Sequence, residues 1–92
     1  MRIRLKTSFV NRLEHQIEFI ALHNPKEARK FKKDILIEIK NILPNSYKHR
    51  KSIYFEDDNV RDLIFKGYTI VFRITDKAIE VFGFVKYQEK PL

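Results

Sequence analysis

The sequence predicts an α+β domain: a short N-terminal strand, an αα-hairpin, then an antiparallel β-meander packed on the two helices. Three observations carry this. Between Phe9 and Ile42 hydrophobic residues recur at helical three- and four-residue spacing. Asn24-Pro25-Lys26-Glu27 interrupts that period once. After Pro44 the pattern turns to short apolar runs separated by turn residues.

Each element has a local reason. Arg2-Ile3-Arg4-Leu5-Lys6 alternates with period two, which reads as a strand with Ile3 and Leu5 inward. Thr7 or Ser8 is placed to cap a first helix whose apolar face is Phe9, Leu13, Ile17, Ile20 and Ala21. Asn24 is the expected N-cap of the second helix, with Pro25 at its first position and Glu27 where a capping box needs it. That helix runs through Ala28, Phe31, Ile35, Ile39 and Ile42 and stops near Leu43-Pro44. Residues 45–51 read as a polar, basic loop, Ser52–Glu56 as a strand, and Asp57-Asp58-Asn59 as an acidic turn. Val60–Phe65, Tyr68–Thr75 and Ala78–Lys86 are the remaining strands, joined at Lys66-Gly67 and Asp76-Lys77.

With 92 residues one domain is expected, spanning residues 1–92, since a chain this size buries only roughly 60–65% of its unfolded surface. A hydrophobic content of 43% and an aromatic content of 13% argue against disorder. No cysteine means no disulfide framework, thiolate nucleophile or Cys-based metal site. His15 and His23 lack a third ligand at metal spacing, so neither a metal nor any other cofactor is expected. No apolar run approaches the ~18 residues of a membrane span, and Met1–Phe9 lacks a signal peptide's apolar stretch. A soluble, cytoplasmic protein is the expectation.

Net charge is +7, and its distribution is one-sided. Residues 1–51 hold 13 Lys/Arg against 5 Asp/Glu, whereas residues 52–92 hold 6 against 7. Such a field attracts nucleic acid, an acidic protein or an anionic surface, or simply keeps one face solvated. The second helix is basic away from its core stripe through Lys26, Arg29, Lys30, Lys33 and Lys40.

The last hairpin can be read further. A two-residue loop at Asp76-Lys77 pairs Thr75 with Ala78 and puts Tyr68, Ile70, Phe72 and Ile74 on one face with Val85, Gly83, Val81 and Ile79. The opposite face then carries Thr69, Val71 and Arg73 against Phe84, Phe82 and Glu80. Val71, Phe82 and Phe84 make that outer face too apolar for water, so either a partner chain or a segment of this chain covers it.

At this point the chain resembles the RelE/ParE superfamily, the toxin halves of toxin–antitoxin pairs. The matching residues are the Phe-led first helix, Asn24-Pro25-x-x-Ala28, Arg61-x-Leu63, Tyr68-x-Ile70-x-Phe72-Arg73-Ile74 and Ile79-x-Val81-Phe82-x-Phe84-Val85-Lys86. The spacing from Arg61 to Tyr68 and on to Phe72-Arg73 is most similar to the ParE branch. The resemblance implies a type II toxin neutralised by a small cognate antitoxin. Its target would be DNA gyrase, as in ParE-like members, or the ribosome and its mRNA, as in RelE-like ribonucleases. A small basic nucleic-acid-binding module and a toxin that has lost activity are the alternatives.

Metal-free RNA cleavage would need a base, an acid and cations around the scissile phosphate. If the chain is a ribonuclease, Arg61, Arg73, Lys86 and Tyr87 are the catalytic candidates. Lys48, His49, Arg50, Lys51, Lys30 and Lys33 are the candidate phosphate contacts. Structural roles compete: Arg73 sits opposite Glu80 in the proposed hairpin, Arg61 begins a strand, and Lys86 and Tyr87 end one. Thr69 stands where the ribonuclease branch usually carries Arg, which tilts against a well-equipped nuclease. The antitoxin is expected to be acidic where it crosses the helices and apolar where it meets Val71, Phe82 and Phe84.

Overall fold

The computed structural model describes residues 1–86. Elements follow the order β1 (Arg2–Leu5), α1 (Thr7–His23), α2 (Pro25–Lys40), a 3-10 stretch (Leu43–Lys48), β2 (Arg50–Lys51), β3 (Val60–Phe65), β4 (Tyr68–Ile74) and β5 (Ala78–Lys86). The strands form one sheet in the order β1-β5-β4-β3-β2. All neighbours are antiparallel except β1, which pairs parallel to β5 with Ile3 opposite Ile79 and Leu5 opposite Val81. Both helices pack on one face of this sheet, giving the two layers expected of an α+β fold.

The joint between the helices forms as its residues dictate. The Asn24 side chain accepts a hydrogen bond from the Glu27 backbone N–H at 3.1 Å, and Pro25 opens α2, where its missing N–H costs nothing. The start of α1 differs from expectation. Lys6 is the N-cap residue, without a side-chain cap, and the Ser8 hydroxyl instead donates to the Phe82 carbonyl at 2.9 Å. That bond ties the first turn of α1 to β5. α2 ends at Lys40, and Ile42 continues into the core beside the 3-10 turn that Pro44 enters.

The core lies between the helices and the inner sheet face: Phe9 and Leu13 from α1, Phe31, Ile35 and Ile39 from α2, and Leu63, Ile70, Phe72, Ile79 and Val81 from the strands. At Lys66-Gly67 the two residues have φ of 47° and 82°, a two-residue turn whose twist matches the strands it joins. The Asp76-Lys77 connection is held by Thr75, whose hydroxyl accepts from the Ala78 N–H at 3.0 Å.

Two expectations are corrected. Ser52–Glu56 is not a strand; only Arg50–Lys51 pairs with β3, and residues 52–59 form an irregular segment. Asp62 explains this, because its Oδ2 accepts from the Ile53 N–H at 3.2 Å and draws the chain off the sheet edge. The final hairpin begins in the expected register, with Ile74 opposite Ile79 and Arg73 opposite Glu80, but it does not keep it. A bulge leaves Phe82 as an extra residue, so that Val71 faces Gly83 and Ile70 faces Phe84. Phe84 therefore points into the core, edge-on to Phe9 at 5.8 Å and stacked on Tyr68 at 5.1 Å. The expected outer-face position of Phe84 is wrong, and the physical reason is this one-residue shift.

Gly83 makes the shift possible. A Cβ built there would lie 2.9 Å from the Val71 Cβ, an atom fixed to the backbone of the facing strand that cannot swing away. Gly83→Ala should lower folding stability by about 1–3 kcal/mol, measured by urea titration. A change below a few tenths of a kcal/mol would show that the strands can separate locally at no cost.

Candidate functional site

Two features dominate the surface that the sequence singles out: the basic segment around β2 and the sheet face turned away from the helices. In the first, Arg61 acts as a fastener. Its Nε donates to the Asp58 carbonyl at 2.9 Å, and its Nη1 donates to the carbonyls of Tyr47 at 3.2 Å and His49 at 3.0 Å. Its guanidinium also lies over the Tyr47 ring, 4.8 Å from the centroid. The Tyr47 hydroxyl donates to Asn59 Oδ1 at 2.6 Å, so the 3-10 stretch and the acidic turn are clasped to the start of β3. These bonds occupy its Nε and Nη1 donors.

Beside it, Asp62 is buried in β3 and its Oδ2 accepts from Arg50 Nε at 3.2 Å and Nη2 at 3.1 Å. Lys51 pairs with Asp58 at 3.0 Å across an exposed gap, an interaction worth little in water. His49 turns inward, edge-on to Phe72 at 5.5 Å. Its Nε2 and the Asp62 Oδ1 have no hydrogen-bond partner among the described residues. Burial pushes the His49 imidazole below its ordinary pKa, nearby Lys48 adds to that, and Glu38 opposes it. Of the four candidates in this segment, Arg50 and Lys51 have acidic partners, whereas among the described residues Lys48 has none and His49 meets the Phe72 ring.

On α2, Lys30 pairs with Asp34 at 2.8 Å, and Lys66 approaches the same carboxylate at 3.8 Å. This hydrogen bond and charge raise the Lys30 pKa and lower that of Asp34. Lys33 has no acidic partner among the described residues.

The outer sheet face is covered in part from within, with an open hollow of about 400 Å³ left between Phe55, Phe82 and Val85. Residues 53–55 fold across it, and Phe55 meets Phe82 edge-on at 5.5 Å. Val71 is only 2% exposed beneath this cover. Arg73 lies opposite Glu80 as expected, yet its guanidinium stacks over the Phe82 ring at 5.3 Å while Glu80 pairs with Arg4 at 3.9 Å. Thr69 is buried on this face between Ile64 and Val85 in register, where a charged side chain would lose its water. Of the three expected partner contacts Val71, Phe82 and Phe84, only Phe82 stays at the outer surface, joined there by the exposed Tyr54 and Phe55.

At the far end of β5, Lys86 lines an open hollow of about 350 Å³ with Arg12, His15, Gln16 and Phe19 of α1. Burial raises the pKa of the neighbouring Tyr68 phenol, and a hydrogen bond with Gln16 opposes the shift. Tyr87 lies outside the described residues. The described catalytic candidates do not converge. Arg61 faces the helix side, Arg73 faces the outer side, and Lys86 pairs with Tyr68, five residues along β4 from Arg73, or about 16 Å at strand rise.

The sequence alone missed Asp62, Tyr54 and Phe55. A signal for Asp62 existed: an acidic residue between Val60 and Leu63 in an apolar strand is unusual without a buried partner. No group of metal-binding side chains occurs among the described residues.

This geometry can be set beside known proteins. The model of the ParE toxin family of type II toxin–antitoxin systems matches residues 3–90. The chain belongs to the ParE toxin family. Among solved structures, a chain of the chromosomal ParDE toxin–antitoxin system from P. aeruginosa is similar, with a TM-score of 0.80 and 18% identity. The alignment covers 96% of this chain and 97% of that one, so the whole fold is shared. Among curated proteins, none matches the sequence significantly. The short strand, helix pair and meander expected from the resemblance are therefore those of a ParE-family toxin. No helix among the described residues is long and apolar enough to cross a membrane.

Two outcomes follow for this ParE-family chain. Arg61→Ala should cost about 2 kcal/mol of stability, because three carbonyls lose a charged donor; thermal unfolding checks it. His49 makes stability pH-dependent. Its pKa is lower in the folded than in the unfolded state, so the unfolded chain takes up the proton more readily. Its stabilising contribution is full above pH 6.5, the ordinary value, and declines as pH falls below it. Urea titrations at pH 7.5 and 5.5 should show a smaller loss in His49→Gln than in the parent chain.

Proposed function

We propose that this toxin arrests growth by binding a cellular target, DNA gyrase, rather than by cutting RNA. The observation that carries this reading is the use already made of the would-be catalytic charges. Arg61 spends its Nε and Nη1 donors on three backbone carbonyls, Arg50 serves Asp62, and Arg73 stacks on Phe82 on the opposite face from Lys86. Phosphoryl transfer needs acid, base and cation within hydrogen-bond reach of one phosphate, and Arg61, Arg73 and Lys86 do not form such a set. The buried Thr69 points the same way. Family membership supports the ParE-like target.

A small antitoxin neutralises the toxin in this reading. On the outer sheet face its contact narrows to Phe82 with Tyr54 and Phe55, since Val71 and Phe84 are covered by the chain itself. The protein acts in the cytoplasm, where such a target resides, and uses no cofactor.

Controlled expression in a bacterium, with DNA and protein synthesis pulse-labelled in one culture, tests the proposal. DNA labelling should fall within minutes while translation continues, and Arg73→Ala should remain toxic. Earlier collapse of protein labelling, abolished by Arg73→Ala or Lys86→Ala, would favour the ribonuclease reading instead.

A further inference from the structure

Where β5 runs past the first helix, the surface carries a cluster that the proposed function leaves unused. On α1, Arg12, Gln16 and Phe19 follow one another at four- and three-residue spacing, with His15 beside them, so they form one stripe along the helix. Lys86 lies two residues beyond the buried Phe84 on β5 and shares its side of the sheet, the side on which α1 packs. These six side chains border the hollow of about 350 Å³. That is enough room for one small ligand, since such sites run from roughly 300 to 1,000 Å³.

The lining selects the ligand. Arg12 and Lys86 are cations, yet no carboxylate lies within ion-pair distance of either, nor of His15, among the described residues. Elsewhere on the surface Lys30, Arg50 and Lys51 each find an acidic partner. Glu14 stands two residues from Arg12 and from Gln16, on another side of the helix. Phe19 is the second feature. It is 55% exposed, whereas Ile17 and Ile20 on either side of it pack against the core. Its one aromatic neighbour among the described residues is His23, 6.1 Å away and set at 79° to it. Two unpaired cations beside an open aromatic ring suit a ligand with an anionic end and a flat end. Arg12 and Phe19 are about 10 Å apart along the helix, a span that an extended nucleotide bridges from phosphate to base.

We propose that this hollow holds a nucleoside monophosphate unit, its phosphate between Arg12 and Lys86 and its base stacked on Phe19. His15 and Gln16, which lie between those two ends on α1, supply hydrogen bonds to the sugar and the base edge. Two sources share this chemistry: a free nucleotide, and one nucleotide of a single nucleic-acid strand. Such a site stands whether growth arrest acts through gyrase or through the ribosome.

The test titrates the full chain with adenosine monophosphate, adenosine, ribose phosphate and a single-stranded adenine hexadeoxynucleotide. Affinity is read by isothermal titration, and contact by nuclear magnetic resonance shifts of the Arg12–Phe19 amides. Adenosine monophosphate should bind and move those amides. Adenosine and ribose phosphate should each bind at least tenfold more weakly, because each lacks one end of the ligand. Arg12→Glu and Phe19→Ala should each weaken binding at least tenfold, and affinity should fall as salt is raised. Lys77→Glu makes the same change of charge in the Asp76-Lys77 turn and should leave affinity within twofold. Arg12, Phe19 and Lys77 are all exposed, so the variants should fold; their circular dichroism is compared with the parent chain. Similar affinity for the mononucleotide and the hexanucleotide assigns the site to free nucleotide. Binding of the hexanucleotide at least tenfold tighter, at the same amides and with the same losses, assigns it to a strand. No binding of either, equal binding of adenosine or ribose phosphate, unchanged affinity in Arg12→Glu or Phe19→Ala, or an equal loss in Lys77→Glu overturns the proposal.

Discussion

One extra residue in β5 organises much of this protein. Had the hairpin kept a single register, Gly83 and Val85 would face the helices and Phe84 would face out. The bulge at Phe82 reverses this and delivers Phe84 between Phe9 and Tyr68. The core thereby gains a large aromatic where α1 meets the sheet. Phe82 itself stays outward, where its ring meets the Arg73 guanidinium and Phe55. The Phe82 carbonyl, meanwhile, accepts the Ser8 hydroxyl at the start of α1. Core, outer face and helix docking thus share one irregularity, and Gly83 is the residue without a Cβ that lets the strands close over it.

A second constraint acts on the charges. A basic loop seen in sequence has its formal charge but not its availability. Between Tyr47 and Asn59 the chain has no regular structure beyond a 3-10 stretch and a two-residue strand, so its backbone groups need side-chain partners. Arg61 and Asp62, adjacent in β3 and pointing to opposite faces, supply them on the two sides of the sheet. The guanidinium of Arg61 gathers carbonyls, and the carboxylate of Asp62 gathers Arg50 and an amide. Two of the cations that looked suited to phosphate, Arg50 and Arg61, therefore have structural partners. The freely presented positive charge lies instead on β1, on the flank of α2 and around the hollow between α1 and β5.

The helix pair was legible because its signals are local. Asn24, Pro25 and Glu27 act within one turn, and the spacing of Phe31, Ile35 and Ile39 needs only the helical period. The turn at Lys66-Gly67 was legible for the same reason. The bulge was not. From Val81 to Val85 every residue is apolar or Gly, so alternation carries no record of which side chain faces in. The basic loop misled for a related reason: whether Arg50 or Arg61 is available depends on partners that the chain brings near only after folding.

What the sequence determined by itself is the N-terminal strand, the helix pair and the last three strands, their order, and the toxin family to which their spacing belongs, since each rests on short-range periodicity, caps and turns. Tertiary structure alone decided the parallel docking of β1 on β5, the inward turn of Phe84 and the partial cover of the outer face by residues 53–55. These depend on contacts between residues far apart in the chain, such as Ser8 with Phe82 and Leu5 with Val81. They are settled by packing volume and hydrogen-bond satisfaction, which no local pattern encodes.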